Sequence, residues 1–164
     1  MRAYLSVCCC ILLPLLASGA PVKKSAVLRP APSFSWMGPG NKVQSLKSIR
    51  GQSVVLVIAE SANARTARKQ FRFLEEVYQQ FASKQVVFAI ALKEGSGPVR
   101  SDIPFVIVND GPSTAAAYGG DERFQIAIIG RDGNIDYQTT KVLTGERVRD
   151  VIQNSFAVQA VARK

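Results

Sequence analysis

The residue types that most often carry catalytic chemistry are scarce in this chain. Its three cysteines are adjacent, Cys8, Cys9 and Cys10, and the 164 residues include no histidine. Thiol–disulfide exchange and peroxide reduction both need a cysteine thiolate. The hydroxyl of Ser61 or Thr66 would need an adjacent base before it could act as a nucleophile. Beyond Cys10 we therefore predict no catalytic residue of these kinds, no cofactor and no metal site, since transition metals favour Cys and His ligands.

A basic stripe is the most distinctive charged feature. Its four residues recur at i, i+3, i+4 and i+7 on the first two turns of a predicted helix: Arg65, Arg68, Lys69 and Arg72. Cations at the positive end of a helix macrodipole each cost roughly a few tenths of a kcal/mol. Free N–H groups at that end attract anions, so we predict an anion-binding or partner-binding patch. The alternative is a solvated face, partly offset by Glu75 and Glu76.

Two acidic groups give weaker signals. Asp132, Asn134 and Asp136 alternate like the first ligands of a calcium loop. Tyr137 stands where such a loop needs glycine, and no glutamate closes it, so we favour a hairpin turn.

A second acidic group could form a pair for acid–base catalysis. Glu60 follows a buried strand, at the edge where open α/β sheets bind ligands, and could pair with Asp121 or Glu122. Nothing in their spacing requires such a pair, and we favour surface solvation for these residues. Trp36 and Met37, near the start of the domain, are predicted to be packing residues.

The N-terminus has the three parts of a secretory signal peptide. Arg2 precedes an apolar run, residues 5–16, and small residues at positions 17–19 form a cleavage site before Ala20. An uncleaved anchor is the alternative, but the run is shorter than the ~20 residues of a spanning helix and contains Pro14. We predict a signal peptide at 1–19, a tether at 20–30, a secreted or periplasmic protein, and no stable membrane insertion after cleavage.

The remaining chain alternates buried strands with helices. Continuous apolar runs predict strands at 53–59, 85–92, 104–108 and 124–129, with a last strand at 135–138. Apolar periodicity predicts helices at 64–81, 112–118 and 145–156. The predicted fold is α/β: a sandwich with a mixed central β-sheet flanked by helices.

Three motifs resemble exported proteins of the thioredoxin-like superfamily, peroxiredoxin-like members included. They are the Ala31-Pro32-Ser33-Phe34 entry, the stretch from Val43 to Val57, and the stretch from Tyr118 to Ile135 with its Arg131-Asp132-Gly133-Asn134 turn. The resemblance implies a thioredoxin-like domain at 31–157, followed by a tail at 158–164.

The same resemblance implies that the redox site is degenerate. Aligning Arg68-Lys69-Gln70 with the trio that follows the family's CxxC motif puts Ala64 and Ala67 where the two cysteines would be. The family's cis-proline would fall next to Phe124, where this chain has no proline. Fainter similarity extends to the secreted P-DUDES-type domains, a family of unknown function.

These observations lead to a functional expectation with open alternatives. A formal charge of +9 favours anionic partners, and nucleic acid is a poor candidate for an exported protein. We expect a redox-inactive domain that binds an anionic ligand or a protein partner, or acts as a scaffold. The alternatives are a thiol-independent enzyme and a non-catalytic subunit of a redox-active homologue.

Overall fold

The computed structural model describes residues 29–81, 86–95 and 97–162, and the predicted signal peptide lies outside them. Seven β-strands and three α-helices follow one another along this part of the chain. In order they are β1 (Ser35–Met37), β2 (Val43–Ser45), β3 (Ser53–Ala59), α1 (Arg65–Phe81), β4 (Val86–Leu92), β5 (Val106–Ile107), α2 (Gly111–Ala117), β6 (Phe124–Ile129), β7 (Ile135–Thr139) and α3 (Gly145–Ala162).

The central sheet has five strands in the order β5-β4-β3-β6-β7. Strand β3 runs parallel to β4 and antiparallel to β6, and all seven of its residues are buried. A strand that is covered on both faces must be apolar throughout, which is why its sequence shows no alternation. The predicted mixed sheet is confirmed, as are the bounds of β3 and β6.

Two apolar cores cover the two faces of this sheet. Helices α1 and α3 pack on one face around Phe71, Leu74 and Ile152. The other core contains Trp36, Tyr118 and inward-facing residues of β3, β4 and β6. The Tyr118 hydroxyl donates to the Pro32 carbonyl at 2.9 Å, and burial raises the pKa of this phenol well above its ordinary range.

Helix ends follow the capping signals of the sequence. Asp110 caps α2, where its carboxylate accepts from the Ser113 amide at 2.9 Å, and Thr144 caps α3 by accepting from the Arg147 amide at 3.3 Å. Helix α3 runs on to Ala162, six residues past its predicted end at Phe156. No helix in the described ranges is long and apolar enough to cross a membrane.

Strands β1 and β2 form an antiparallel hairpin that the sequence did not predict. Each is three residues long and too short to show a period. The last two residues of the predicted tether also pair with the sheet edge at β7. The Ile135 amide donates to the Arg29 carbonyl at 2.8 Å, and Pro30 forms a β-bridge with Asn134.

Candidate functional site

The N-terminus of α1 lies at the edge of the sheet where β3 ends. Residues 60–64 reverse the chain between the two elements, and the Ala64 amide donates to the Ser61 carbonyl at 3.2 Å. Helical bonding starts at once, since the Arg68 amide donates to the Ala64 carbonyl at 3.0 Å. The first turn of α1 is therefore the part of the helix closest to the ends of β3 and β4.

The three positions predicted to be degenerate occupy different environments. Ala64 is half-buried and lines an open cleft together with Phe124, which the topology brings from β6. Ala67, one turn further along α1, is fully buried in the core. None of the described residues follows a cis peptide bond, which includes Phe124 after Arg123. The structure thus brings Ala64 and Phe124 to one cleft and buries Ala67 in the core.

The cleft has a volume of about 530 Å³, and two of its lining residues form an ion pair. The Arg123 Nε lies 3.5 Å from the Glu60 Oε1, and the Glu60 amide donates to the Arg123 carbonyl at 3.2 Å. The Arg123 side chain is 87% exposed, so the pair contributes little to stability. Eight residues line the cleft: Glu60, Ala64, Arg65, Thr66, Glu122, Arg123, Phe124 and Thr140.

The predicted acidic pair is brought together only in part. Glu60 and Glu122 line the same cleft, while Asp121 is an exposed residue before them on the β6 side. Glu60 already faces a cation, Arg123. Nowhere in the described ranges do three acidic, His or Cys side chains group closely enough to hold a metal ion.

The basic stripe forms a single exposed surface. Its four side chains, those of Arg65, Arg68, Lys69 and Arg72, are all exposed and border a shallow depression of about 440 Å³. Within the part of the chain that the structure describes, none of the four forms an ion pair.

Glu75, which the sequence offered as a counter-charge to the stripe, is engaged elsewhere. Its carboxylate accepts from the Ser101 hydroxyl at 2.7 Å and from the Asp102 amide at 3.2 Å. Both partners lie in the segment that leads into β5. The acidic residue therefore fixes that segment against α1, and its carboxylate is engaged in these hydrogen bonds.

Gln70 is a structural residue that sequence reasoning missed. It is fully buried in the second turn of α1, where its amide donates to the Leu143 carbonyl at 3.0 Å and accepts from the Leu143 amide at 2.8 Å. These bonds hold the segment before α3 against α1. The sequence signal for a buried role is the position of Gln70, which is next to Phe71 and one turn before Leu74 on the buried side of the helix.

The Asp132 region is a hairpin turn, as predicted. The Asp132 carboxylate accepts from the Asn134 amide at 3.0 Å and from its Nδ2 at 2.7 Å, and Gly133 adopts a φ of 83°. Asp136 hydrogen-bonds Ser155 in α3. Burial raises the pKa of Asp136, the Ser155 hydrogen bond opposes that shift, and the charge of Asp132 adds to it.

The prediction for Trp36 and Met37 was right for one residue and wrong for the other. Trp36 is 2% exposed and packs in the core, with its ring centroid 5.8 Å from that of Phe34. Met37 is 51% exposed. The two residues are consecutive on β1, and successive side chains of a strand point to opposite faces.

No protein-family model and no curated protein sequence matches this chain. Solved structures do resemble it. A thiol:disulfide interchange protein of the thioredoxin family from Chlorobium tepidum is 16% identical with a TM-score of 0.61, over 79% of this chain and 97% of that one. Thioredoxin peroxidase I from Plasmodium yoelii is 16% identical with a TM-score of 0.61, over 83% and 92%.

A third structure, the exposed lipoprotein thioredoxin from Streptococcus pneumoniae, is 14% identical with a TM-score of 0.56, over 75% of this chain and 99% of that one. At these identities the likeness concerns the fold. The fold is thioredoxin-like, with peroxiredoxin-like proteins among its structural neighbours, as the sequence motifs predicted.

Proposed function

We propose that this protein is an exported thioredoxin-like domain that works by binding, and that its basic stripe holds an anionic partner. The observation that carries the proposal is the stripe itself: Arg65, Arg68, Lys69 and Arg72 are exposed side by side and form no ion pair within the described residues. A folded protein gains nothing in stability from four neighbouring cations at a helix N-terminus. An anion placed there would gain from both the side chains and the helix end.

The loss of thiol chemistry is the second part of the proposal. Beyond Cys10 the chain has no cysteine and no histidine. Alanine occupies position 64, in the lining of the cleft, and position 67, in the core. Once residues 1–19 are removed, a thiolate at the cleft would have to come from another molecule. The structural neighbours named for thiol:disulfide exchange or peroxidase activity share the fold with this chain.

Export is the third part. It is supported by the signal-like pattern of residues 1–19 and by the exposed lipoprotein among the similar structures. An exported protein of this size needs no disulfide when its core is as continuous as the one around β3. Mass spectrometry of the protein purified from its host tests this part, and we expect a chain that begins at Ala20.

The binding proposal is tested by charge reversal with a matched control. One variant carries Arg65→Glu, Arg68→Glu and Arg72→Glu, and the control carries Lys47→Glu, Arg50→Glu and Lys141→Glu, three exposed cations elsewhere. A photo-crosslinker at position 69 captures partners in the host. We expect an adduct whose yield falls at least tenfold in the first variant and is unchanged in the control.

Two outcomes would contradict the binding proposal. Equal loss in both variants would show that the adduct depends on net charge alone. No adduct above that formed by a crosslinker at position 141 would show that the stripe is a solvated helix face.

A second candidate function is a thiol-independent enzyme, favoured by the cleft where Glu60 and Glu122 meet Thr66 and Thr140. A carboxylate beside hydroxyl groups can act as a general base. Any hydrolytic activity of the purified protein should then fall by about 100-fold in a Glu60→Gln variant. Activity that survives this change would exclude a role for that carboxylate. A non-catalytic subunit of a redox-active homologue remains a proposal, which predicts that the two proteins purify together.

A further inference from the structure

The exposed apolar residues of the described chain are not scattered. Three large hydrophobic side chains are substantially exposed: Met37 at 51%, Val43 at 67% and Ile107 at 45%. They are far apart in sequence and belong to β1, β2 and β5. Single exposed hydrophobic residues are normal on any protein, so their arrangement decides whether they matter.

Strand register places all three in one row. Met37 is opposite Val43 in the β1–β2 ladder. On the other side of β1, Trp36 bridges Val108 in antiparallel fashion, so the next pair along is Met37 with Ile107.

The flanking pair confirms this register. The Asn109 amide donates to the Ser35 carbonyl at 2.9 Å, and their side chains meet at 3.4 Å. Trp36 and Val108 point into the core, and therefore Met37 and Ile107 share the opposite, exposed face. We call Val43, Met37 and Ile107 the apolar row.

Part of the basic stripe is on the side of α1 that faces β5. Arg68, Arg72 and Glu75 recur at i, i+4 and i+7, which places them on one face of α1. Glu75 contacts the segment that enters β5. Phe71 of α1 also packs against Phe105, the residue before β5, with their ring centroids 5.1 Å apart. The face of α1 that carries two of the stripe's arginines therefore looks toward the strand that carries Ile107.

The cations on this side of the molecule are Arg68 and Arg72 of the stripe. Lys93 lines a cavity of about 210 Å³ together with Ile107, but its ammonium already donates to the Gly120 carbonyl at 2.5 Å and to the Glu122 carbonyl at 3.1 Å. An apolar row with arginines on one side is complementary to a partner that has apolar side chains beside acidic ones.

The spacing of the row indicates what kind of segment fits. Neighbouring strands lie about 4.8 Å apart, so three residues across three strands span roughly 10 Å. Side chains at i, i+4 and i+7 of an α-helix cover about the same length, since the helix rises about 1.5 Å per residue. An extended peptide running along β2 would find little to pair with, because the Ser45 amide is already bonded to the Ser48 hydroxyl at 3.1 Å.

We infer that the anionic partner is a polypeptide and that it docks an acidic amphipathic helix across the apolar row, with its carboxylates toward Arg68 and Arg72. This inference rests on the proposed function, because it takes the basic stripe as part of the binding surface. It adds the apolar contact, the secondary structure of the partner and the direction in which that helix crosses the strands.

The test uses two synthetic peptides with the same helical, glutamate-rich sequence. One carries leucine at three positions spaced i, i+4 and i+7, and the other carries serine there. Fluorescence anisotropy of each labelled peptide with the purified protein gives the two dissociation constants. We expect the leucine peptide to bind at least tenfold more tightly, since burying even part of three leucines exceeds 1.4 kcal/mol.

Two variants distinguish the contribution of the apolar row to binding from that of the basic stripe. Met37→Ser with Ile107→Thr changes exposed positions only, and it should abolish the preference for leucine while leaving the serine peptide unaffected. Substitution of Arg68 and Arg72 by glutamate should weaken the binding of both peptides. Circular dichroism and thermal melting confirm that each variant is folded.

Three results would overturn the inference. If the two peptides bind equally and both depend on Arg68 and Arg72, the proposed function survives and the apolar row has no part in it. If neither peptide binds, the helix-docking inference fails whatever else the stripe holds. If phosphatidylglycerol vesicles bind in place of the leucine peptide and are lost in the Met37→Ser, Ile107→Thr variant, the row is a membrane surface.

Discussion

The Gln70 side chain hydrogen-bonds both the amide and the carbonyl of Leu143, at 2.8 and 3.0 Å, inside the core. A backbone amide and carbonyl that are buried need such partners, because leaving either unpaired costs about 1 to 3 kcal/mol. One side chain thus replaces the strand or helix partners that the segment between β7 and α3 lacks. The bond also ties α3 to the helix that carries the basic stripe.

Gln70→Ala should lower the free energy of unfolding by about 2 to 4 kcal/mol, because it leaves two buried backbone groups unpaired and removes packed atoms. Urea denaturation measures the change. Gln79→Ala, at an exposed position of the same helix, is the control and should change stability by less than about 0.5 kcal/mol. A loss below 1 kcal/mol for Gln70→Ala would show that water replaces the amide without cost.

Arg65→Glu should stabilise the protein while it weakens binding. Arg65 begins α1, where a glutamate interacts favourably with the macrodipole and an arginine unfavourably, so we expect a gain of about 0.5 to 1 kcal/mol. Arg72→Glu, two turns further along the helix, is the control, and its gain in stability should be smaller. Thermal melting measures both. A destabilised Arg65→Glu variant would indicate that the arginine has a structural partner and would remove the argument for a functional cost.

An Ala64→Cys substitution reports directly on the electrostatics of the cleft. A thiolate at a helix N-terminus beside Arg65 and Arg68 should have its pKa lowered from about 8.5 to roughly 7 or below. The pH dependence of alkylation by iodoacetamide gives this value, in a chain whose Cys8, Cys9 and Cys10 are replaced by serine. The matched variant is Ala116→Cys, exposed in α2. Equal midpoints in the two variants would mean that the cleft does not favour anions.

Asp136→Asn should stabilise the protein at neutral pH, and the gain should disappear in acid. Partial burial raises the pKa of this carboxyl above its unfolded value, so the native state loses stability as the pH rises from the unfolded pKa to the native one. Asparagine cannot ionise, so the variant does not lose this stability. Below the ordinary carboxyl pKa of about 4, both side chains are neutral, and the difference in stability between the variant and the original protein disappears. Denaturation at several pH values measures it, with the exposed Asp121→Asn as control. A gain that is independent of pH would assign the effect to packing.

Strong local patterns made much of the fold predictable from sequence. The runs that became β3 and β6 are apolar at every position, and the stripe of Phe71 and Leu74 repeats with the helical period. The hairpin β1–β2 was not predictable, since three-residue strands have too few positions for a period. The two strands are held by pairing with each other, by the bridge from Trp36 to Val108 and by packing of Trp36.

The candidate site divides in the same way. The sequence by itself determined that thiol chemistry is confined to Cys8, Cys9 and Cys10, and that four cations share one helix face, because composition and the 3.6-residue period are local properties. Only the tertiary structure decided that Met37 is exposed while Trp36 is buried, and that Met37 lies in one row with Ile107. Strand order and register arise from contacts between residues distant in the chain, and no local pattern encodes them.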